Sequence, residues 1–209
     1  MAVIYSLGEI SGAHINPAVT LAFTLRGGFS PARVPGYWAA QLSGASLAAL
    51  VIYGIFGNVK SLGATVPHHG VGTSLVMEII LTFLLVSVII GSATGHRLVG
   101  HNAGIAVGGT VALCGLFGDP ISGASMNPAR SIGPALIARD FQSLWIYLAG
   151  PVLGALVAVI LAYILLGRSG RHEEKAAAGE AAAGESRLGA RIPGWGFLAA
   201  MRNEIPISS

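Results

Sequence analysis

The chain has 209 residues, of which 53% are hydrophobic and only 10% charged, with twelve Lys and Arg, nine Asp and Glu and a formal net charge of +3. A soluble domain carries about a quarter charged residues, so this composition, with a mean hydropathy of +0.71, excludes a water-facing surface over most of the molecule and points to a lipid bilayer. Six basic residues (Arg168, Arg171, Lys175, Arg187, Arg191 and Arg202) fall beyond residue 167, which excludes a nucleic-acid-binding domain with a basic face. The lone Cys114 can neither close an internal disulfide nor hold a metal by itself, and reads as a small buried hydrophobe.

In chain order, the segment Ile10-Ser11-Gly12-Ala13-His14-Ile15-Asn16-Pro17-Ala18 opens a short apolar piece, 18–25, that stops at Arg26 and two glycines. Four longer apolar stretches follow at 37–56, 73–93, 103–117 and 144–166, each long enough, or nearly so, to cross about 30 Å of hydrocarbon as a helix. Small residues recur at four-residue spacing within them, as in Ala40, Gly44 and Ala48 and again in Gly150, Gly154 and Ala158. Lipid gives helices no hydrophobic reason to associate, so such close-packing stripes predict a bundle. Between the third and fourth stretches comes a second short piece, 129–138, again after an Asn-Pro. Both short pieces read as half-helices that enter the membrane and stop midway, which is tolerable only where protein encloses them or a cavity adjoins them. Past Gly167 the sequence turns to Ala, Gly, Glu and Arg without apolar periodicity, and 168–209 is read as a solvated, disordered tail. Residues 192–200 within it are apolar enough to touch a membrane surface, the unstructured end being the simpler reading.

The chain carries an internal repeat. Residues 10–18 match 121–129 (Ile-Ser-Gly-Ala-Ser-Met-Asn-Pro-Ala) at seven of nine positions with a constant offset of 111, and Tyr37 to Ala45 resembles Tyr147 to Ala155 at offset 110. The chain is a duplication. Three crossings separate the two Asn-Pro-Ala copies, an odd number, so the two re-entrant loops enter from opposite faces as in inverted-repeat channels and transporters. Residues 1–167 form one membrane domain, with 1–69 the first repeat and 70–167 the second. The first repeat lacks roughly forty residues that the second has, one helix and the start of the next, and the expectation is that the chain is incomplete at Met1.

Asn16 and Asn127 are suited to N-caps, and Pro17 and Pro128 to the first helical position, where a missing N–H does no harm. Ala18 and Ala129 complete the two elements. Two half-helices meeting at their N-termini would create a local positive potential, with the asparagine amides expected to keep their NH₂ donors free for the lumen. Such a pore passes neutral molecules and refuses ions and protons. Arg130 stands where the first copy has Val19; an intramembrane arginine is functional by default, and it is assigned to the constriction, the alternative being a snorkelling side chain. Glu78 is read as a structural acceptor for exposed backbone N–H groups of a re-entrant loop, with a proton relay as the alternative. His14 is read as holding its loop, with a pH sensor as the alternative. His68, His69, His96 and His101 are not spaced as a metal set. No metal or cofactor is expected, and no nucleophile, base and orienting partner converge as an enzyme would need.

The paired loops SGAHINPAVT and SGASMNPARS resemble the signature loops of the aquaporin, or major intrinsic protein, family over residues 1–167. The resemblance implies an all-α membrane fold of tilted helices and two re-entrant half-helices, here without its first helix. It implies a homotetramer of separate pores in the cell membrane, with both termini of the full-length form cytoplasmic. It makes Asn16 and Asn127 the central site and Arg130 the arginine of the filter. It also places Gly115 and Ala124 at filter positions where water-selective members tend to carry histidine at the first. Small residues there imply a wider constriction, as in the nodulin-type branch that passes glycerol, urea or undissociated metalloid acids. Ser131 stands where dedicated glycerol facilitators usually have Asp, and Glu9 also departs from the family pattern. Arg26, Arg33, Arg97 and the tail would lie inside, against Lys60 and Arg139 outside. The expected function is a passive channel for water and small uncharged solutes; the competing readings are a proton-coupled transporter and a non-conducting truncated protein.

Overall fold

A computed structural model describes residues 1–93 and 102–179, in which eight α-helices follow one another: α1 (Ala2–Ser11), α2 (Pro17–Leu25), α3 (Val34–Phe56), α4 (Val71–Ala93), α5 (Ala103–Ser122), α6 (Pro128–Ala138), α7 (Ile146–Leu166) and α8 (Arg171–Ala178). Helices α3, α4, α5 and α7 are long and apolar enough to cross a membrane. Their outward faces carry Leu47, Ile55, Phe56, Leu113, Leu116 and Ile164, each 62–78% exposed, which only a hydrocarbon solvent makes favourable. The chain is a multi-pass membrane protein.

Close approach through small residues holds the bundle, as the spacing of glycine and alanine predicts. On α7, a Cβ at Gly150 would stand 2.6 Å from Glu78 Cβ, and one at Gly154 would collide with the Ile79 carbonyl of α4. Gly133 of α6 lies against the Ala45 backbone of α3 in the same way, 2.6 Å from its carbonyl carbon. One apolar cluster joins α2 (Ala18, Val19, Phe23), α4 (Val86, Ile90) and α7 (Ala155, Ala158, Val159). A second joins Leu81 and Leu85 of α4 to Cys114 of α5 and to Ala124 and Met126 of the second loop.

The duplication is visible helix by helix, because α1, α2 and α3 are repeated as α5, α6 and α7. Helix α4 packs on the small-residue face of α7. The corresponding face of α3 has no such partner among the described residues: a Cβ at Gly36 or Gly44 would meet nothing within 4 Å. In their most apolar 18-residue stretches α3 is 6% buried, against 39% for both α4 and α7.

Two sequence expectations change. Helix α5 continues to Ser122, five residues past the apolar stretch 103–117, and contains Pro120 in its last turn. Tertiary contact carries it through: Gly118 is buried and a Cβ there would stand 2.6 Å from Leu81 Cδ1, so α4 supports the last turn. The segment after Gly167 is also not all solvated chain. Residues 171–178 form α8, in which Glu173 and Ala177, four apart on one helical face, are both 0% exposed. Residues 192–200 lie outside the described residues.

Candidate functional site

The Asn-Pro pairs begin their half-helices as local chemistry dictates. Asn16 is extended (φ −156°, ψ 122°) with Pro17 in the first turn of α2, and its Oδ1 accepts from Ala18 N at 2.9 Å. Asn127 repeats this (φ −152°), accepting from Ala129 N at 3.0 Å and Arg130 N at 3.4 Å. The two caps face one another. Asn16 Nδ2 donates to Met126 O at 2.8 Å, and Asn127 Nδ2 donates to Ile15 O at 2.9 Å. The expectation that both amides keep all their donors free is therefore corrected: each amide gives one N–H to the opposite loop and retains one. The physical reason is the like polarity of two abutting helix N-termini, which the crossed carbonyls of Ile15 and Met126 offset while locking the tips together.

Those carbonyls point inward because the loops run through left-handed backbone. Gly12, Ala13 and Ile15 have φ of 69°, 44° and 45°; Gly123, Ala124 and Met126, each 111 residues on, have 78°, 41° and 55°. For residues other than glycine this conformation costs on the order of 1–3 kcal/mol each and persists only where the surroundings over-determine it. In the second loop the determinant is Glu78, fully buried on α4. Its Oε1 accepts from Ser122 Oγ and Ser125 N, and its Oε2 from Met126 N, all at 2.8 Å. The Tyr147 hydroxyl donates to Ser122 O at 2.7 Å, and that of Tyr37 to Ser11 O at 3.0 Å.

The first loop is held by His14 instead. Its Nδ1 pairs with Thr20 Oγ1 at 3.1 Å and its Nε2 donates to the Ala177 carbonyl at 2.9 Å. The ring packs among Phe23, Phe29 and Tyr37 at centroid distances of 4.9, 4.8 and 5.1 Å. The second loop has Ser125 and Ser131 at the positions of His14 and Thr20, 2.6 Å apart, and Thr65 Oγ1 reaches Ser131 Oγ at 2.7 Å.

Arg130 extends from the first turn of α6. Its Nη1 donates to Gly63 O at 3.3 Å, in a tight turn where Lys60, Ser61 and Leu62 all have positive φ. A cavity of about 970 Å³ is lined by Asn16, Asn127, Arg130, Val19, Phe23 and Ala124, among others. A second of about 1070 Å³ lies between α1, α3 and α6 and shares Asn127 and Arg130 with the first. Gly115 lines neither cavity, and a Cβ there would meet nothing within 4 Å. Glu9 lines the first cavity. His96, Arg97 and His101 lie outside the described residues.

Three contributors escaped the sequence reading: the Thr65–Ser131–Ser125 hydroxyl chain, the Gly63 carbonyl, and the pairing of Arg26 with Glu173. The only advance signal was the repeat itself, which marks Thr20 and Ser131 as equivalent.

Two half-helices abutting at capped N-termini, enclosed by an inverted repeat of membrane-length helices, define a class of membrane proteins built around a central re-entrant pair. A model of the major intrinsic protein family matches residues 1–163, and the chain belongs to that family. It is 48% identical over 171 residues to aquaporin NIP1-4 of Oryza sativa subsp. japonica, covering 81% of this chain and 62% of the relative. It is 51% identical over 162 residues to aquaporin NIP3-1 of Arabidopsis thaliana, covering 74% and 50%. The fold resembles the X-ray structure of the aquaglyceroporin from Plasmodium falciparum with a TM-score of 0.66, at 22% identity, over 78% of this chain and 76% of that one. The chain spans about six-tenths of the length of the first two relatives it matches.

Proposed function

We propose that this chain forms a passive channel for water and small uncharged solutes, glycerol, urea and undissociated metalloid acids among them, and that it excludes ions and protons. The observation that carries the reading is the reciprocal bonding of Asn16 and Asn127 across the two loops, beside a cavity that also contains Arg130. Each asparagine amide retains one N–H to donate, and the two helix N-termini supply a positive potential at the same place. A water passing there accepts from the amides and is oriented by them, which interrupts a proton wire, while Arg130 adds a fixed cation that opposes cations. The small Ala124, which lines the same cavity, favours solutes larger than water. The reading includes a homotetramer in the cell membrane with cytoplasmic termini.

Proteoliposomes mixed rapidly with glycerol, urea or boric acid gradients test this. The expected result is swelling at a rate independent of any proton gradient. Arg130→Val should raise proton leak or glycerol flux roughly tenfold, the effect of about 1.4 kcal/mol off a barrier. Flux that requires a proton gradient would assign the chain to coupled transport, and no flux above that of empty vesicles would overturn permeation.

A further inference from the structure

Helix α8 forms part of the wall of the cavity that holds the two asparagines. His172 and Ala176, four apart on one face, line that cavity together with Asn16, Val19 and Phe23. The adjoining face, Glu173 and Ala177, is completely buried. The Ala177 carbonyl accepts from His14 Nε2 and rests on Gly12, where any Cβ would collide with it. Gly179 continues the contact along the Glu9, Ile10 and Ser11 backbone, where a Cβ would stand 2.8 Å from the Glu9 carbonyl oxygen.

One ion pair fastens this segment. Glu173 takes Arg26 in a two-pronged grip, Oε1 from Nε and Oε2 from Nη2, both at 2.8 Å. Both side chains are 0% exposed. Arg26 Nη1 donates to Gly167 O at 2.7 Å, and its guanidinium lies 4.6 Å over the Tyr163 ring. The Tyr163 hydroxyl in turn donates to Leu25 O at 2.9 Å, at the end of α2. Arg26 closes the half-helix that Asn16 opens. A buried ion pair is a poor source of net stability, because desolvation offsets its attraction, and its best-attested use is to fix one arrangement against another.

We propose that α8 is a cover over this side of the cavity, latched by Arg26 and Glu173, and that releasing the latch opens that side to solvent. The consequence for flux rests on the channel reading; the cover itself does not. Accessibility is therefore measured apart from conduction. In a Cys114→Ala background, Val19→Cys places a thiol in the cavity wall, and its reaction with a water-soluble methanethiosulfonate is timed on the solubilised chain. Glu173→Gln, which keeps the shape and removes the charge, is expected to speed the reaction about tenfold, as loss of one charged partner disfavours the seated state. A chain ending at Gly167 should react at least as fast. Equal rates in the parent and both monodisperse variants would overturn the cover. Vesicle swelling measured on the same variants separates the two readings. Faster labelling with faster swelling supports both, while faster labelling without any flux keeps the cover and defeats the channel.

Discussion

Replacing Glu78 with alanine is expected to cost on the order of 4 kcal/mol, summed over the two backbone N–H groups and one hydroxyl that would lose their acceptor at about 1–3 kcal/mol each. The carboxylate is fully buried, and its three bonds to Ser122, Ser125 and Met126 are all 2.8 Å. The loss is larger than an ordinary buried hydrogen bond because the same contacts keep Ala124 and Met126 at positive φ. Once they go, the left-handed turns relax and the Met126 carbonyl leaves Asn16. Glu78→Gln should fall between, since its oxygen still accepts while its NH₂ is set against a backbone donor. Thermal unfolding followed by size-exclusion in detergent measures both; an alanine variant that melts within about 2 °C of the parent would refute the assignment.

The second large effect is expected at Gly154. A valine there would drive its Cβ into the Ile79 carbonyl and to 2.9 Å from Phe83 N and Thr82 Cβ. Backbone atoms inside a packed helix pair cannot step aside as a flexible side chain can, so the cost should exceed the usual 1–3 kcal/mol of overpacking, at roughly 3 kcal/mol or more. The repeat provides the control. Gly44 is the matching residue of α3, and a Cβ there meets nothing within 4 Å, so Gly44→Ala should stay within about 0.5 kcal/mol of the parent. The same unfolding assay reads both. A large loss at Gly154 alone supports packing on one side only; equal losses would show that α3 is covered in the membrane as α7 is.

The contrast between these two glycines shows how far the sequence could be read. Their four-residue spacing with neighbouring small residues announced that α3 and α7 each present a close-packing face, since that pattern is local and periodic. Which face is filled is a matter of what lies across from it, and no spacing within α3 reports that. Helix α5 makes the same point: Asp119-Pro120 is a local stop signal, overruled by the contact of Gly118 with Leu81 from another helix.

The sequence by itself determined the membrane solvent, the duplication, the positions of the two capped half-helices and the family, because composition, periodicity and the Asn-Pro cap are properties of residues close together in the chain. Only the tertiary structure decided where the polar groups spend their hydrogen bonds. Asn16 reaches Met126 across 110 residues and Arg26 reaches Glu173 across 147. The donors were legible from the start, but their acceptors are brought to them by folding alone, and a buried donor's effect is set by the acceptor it finds.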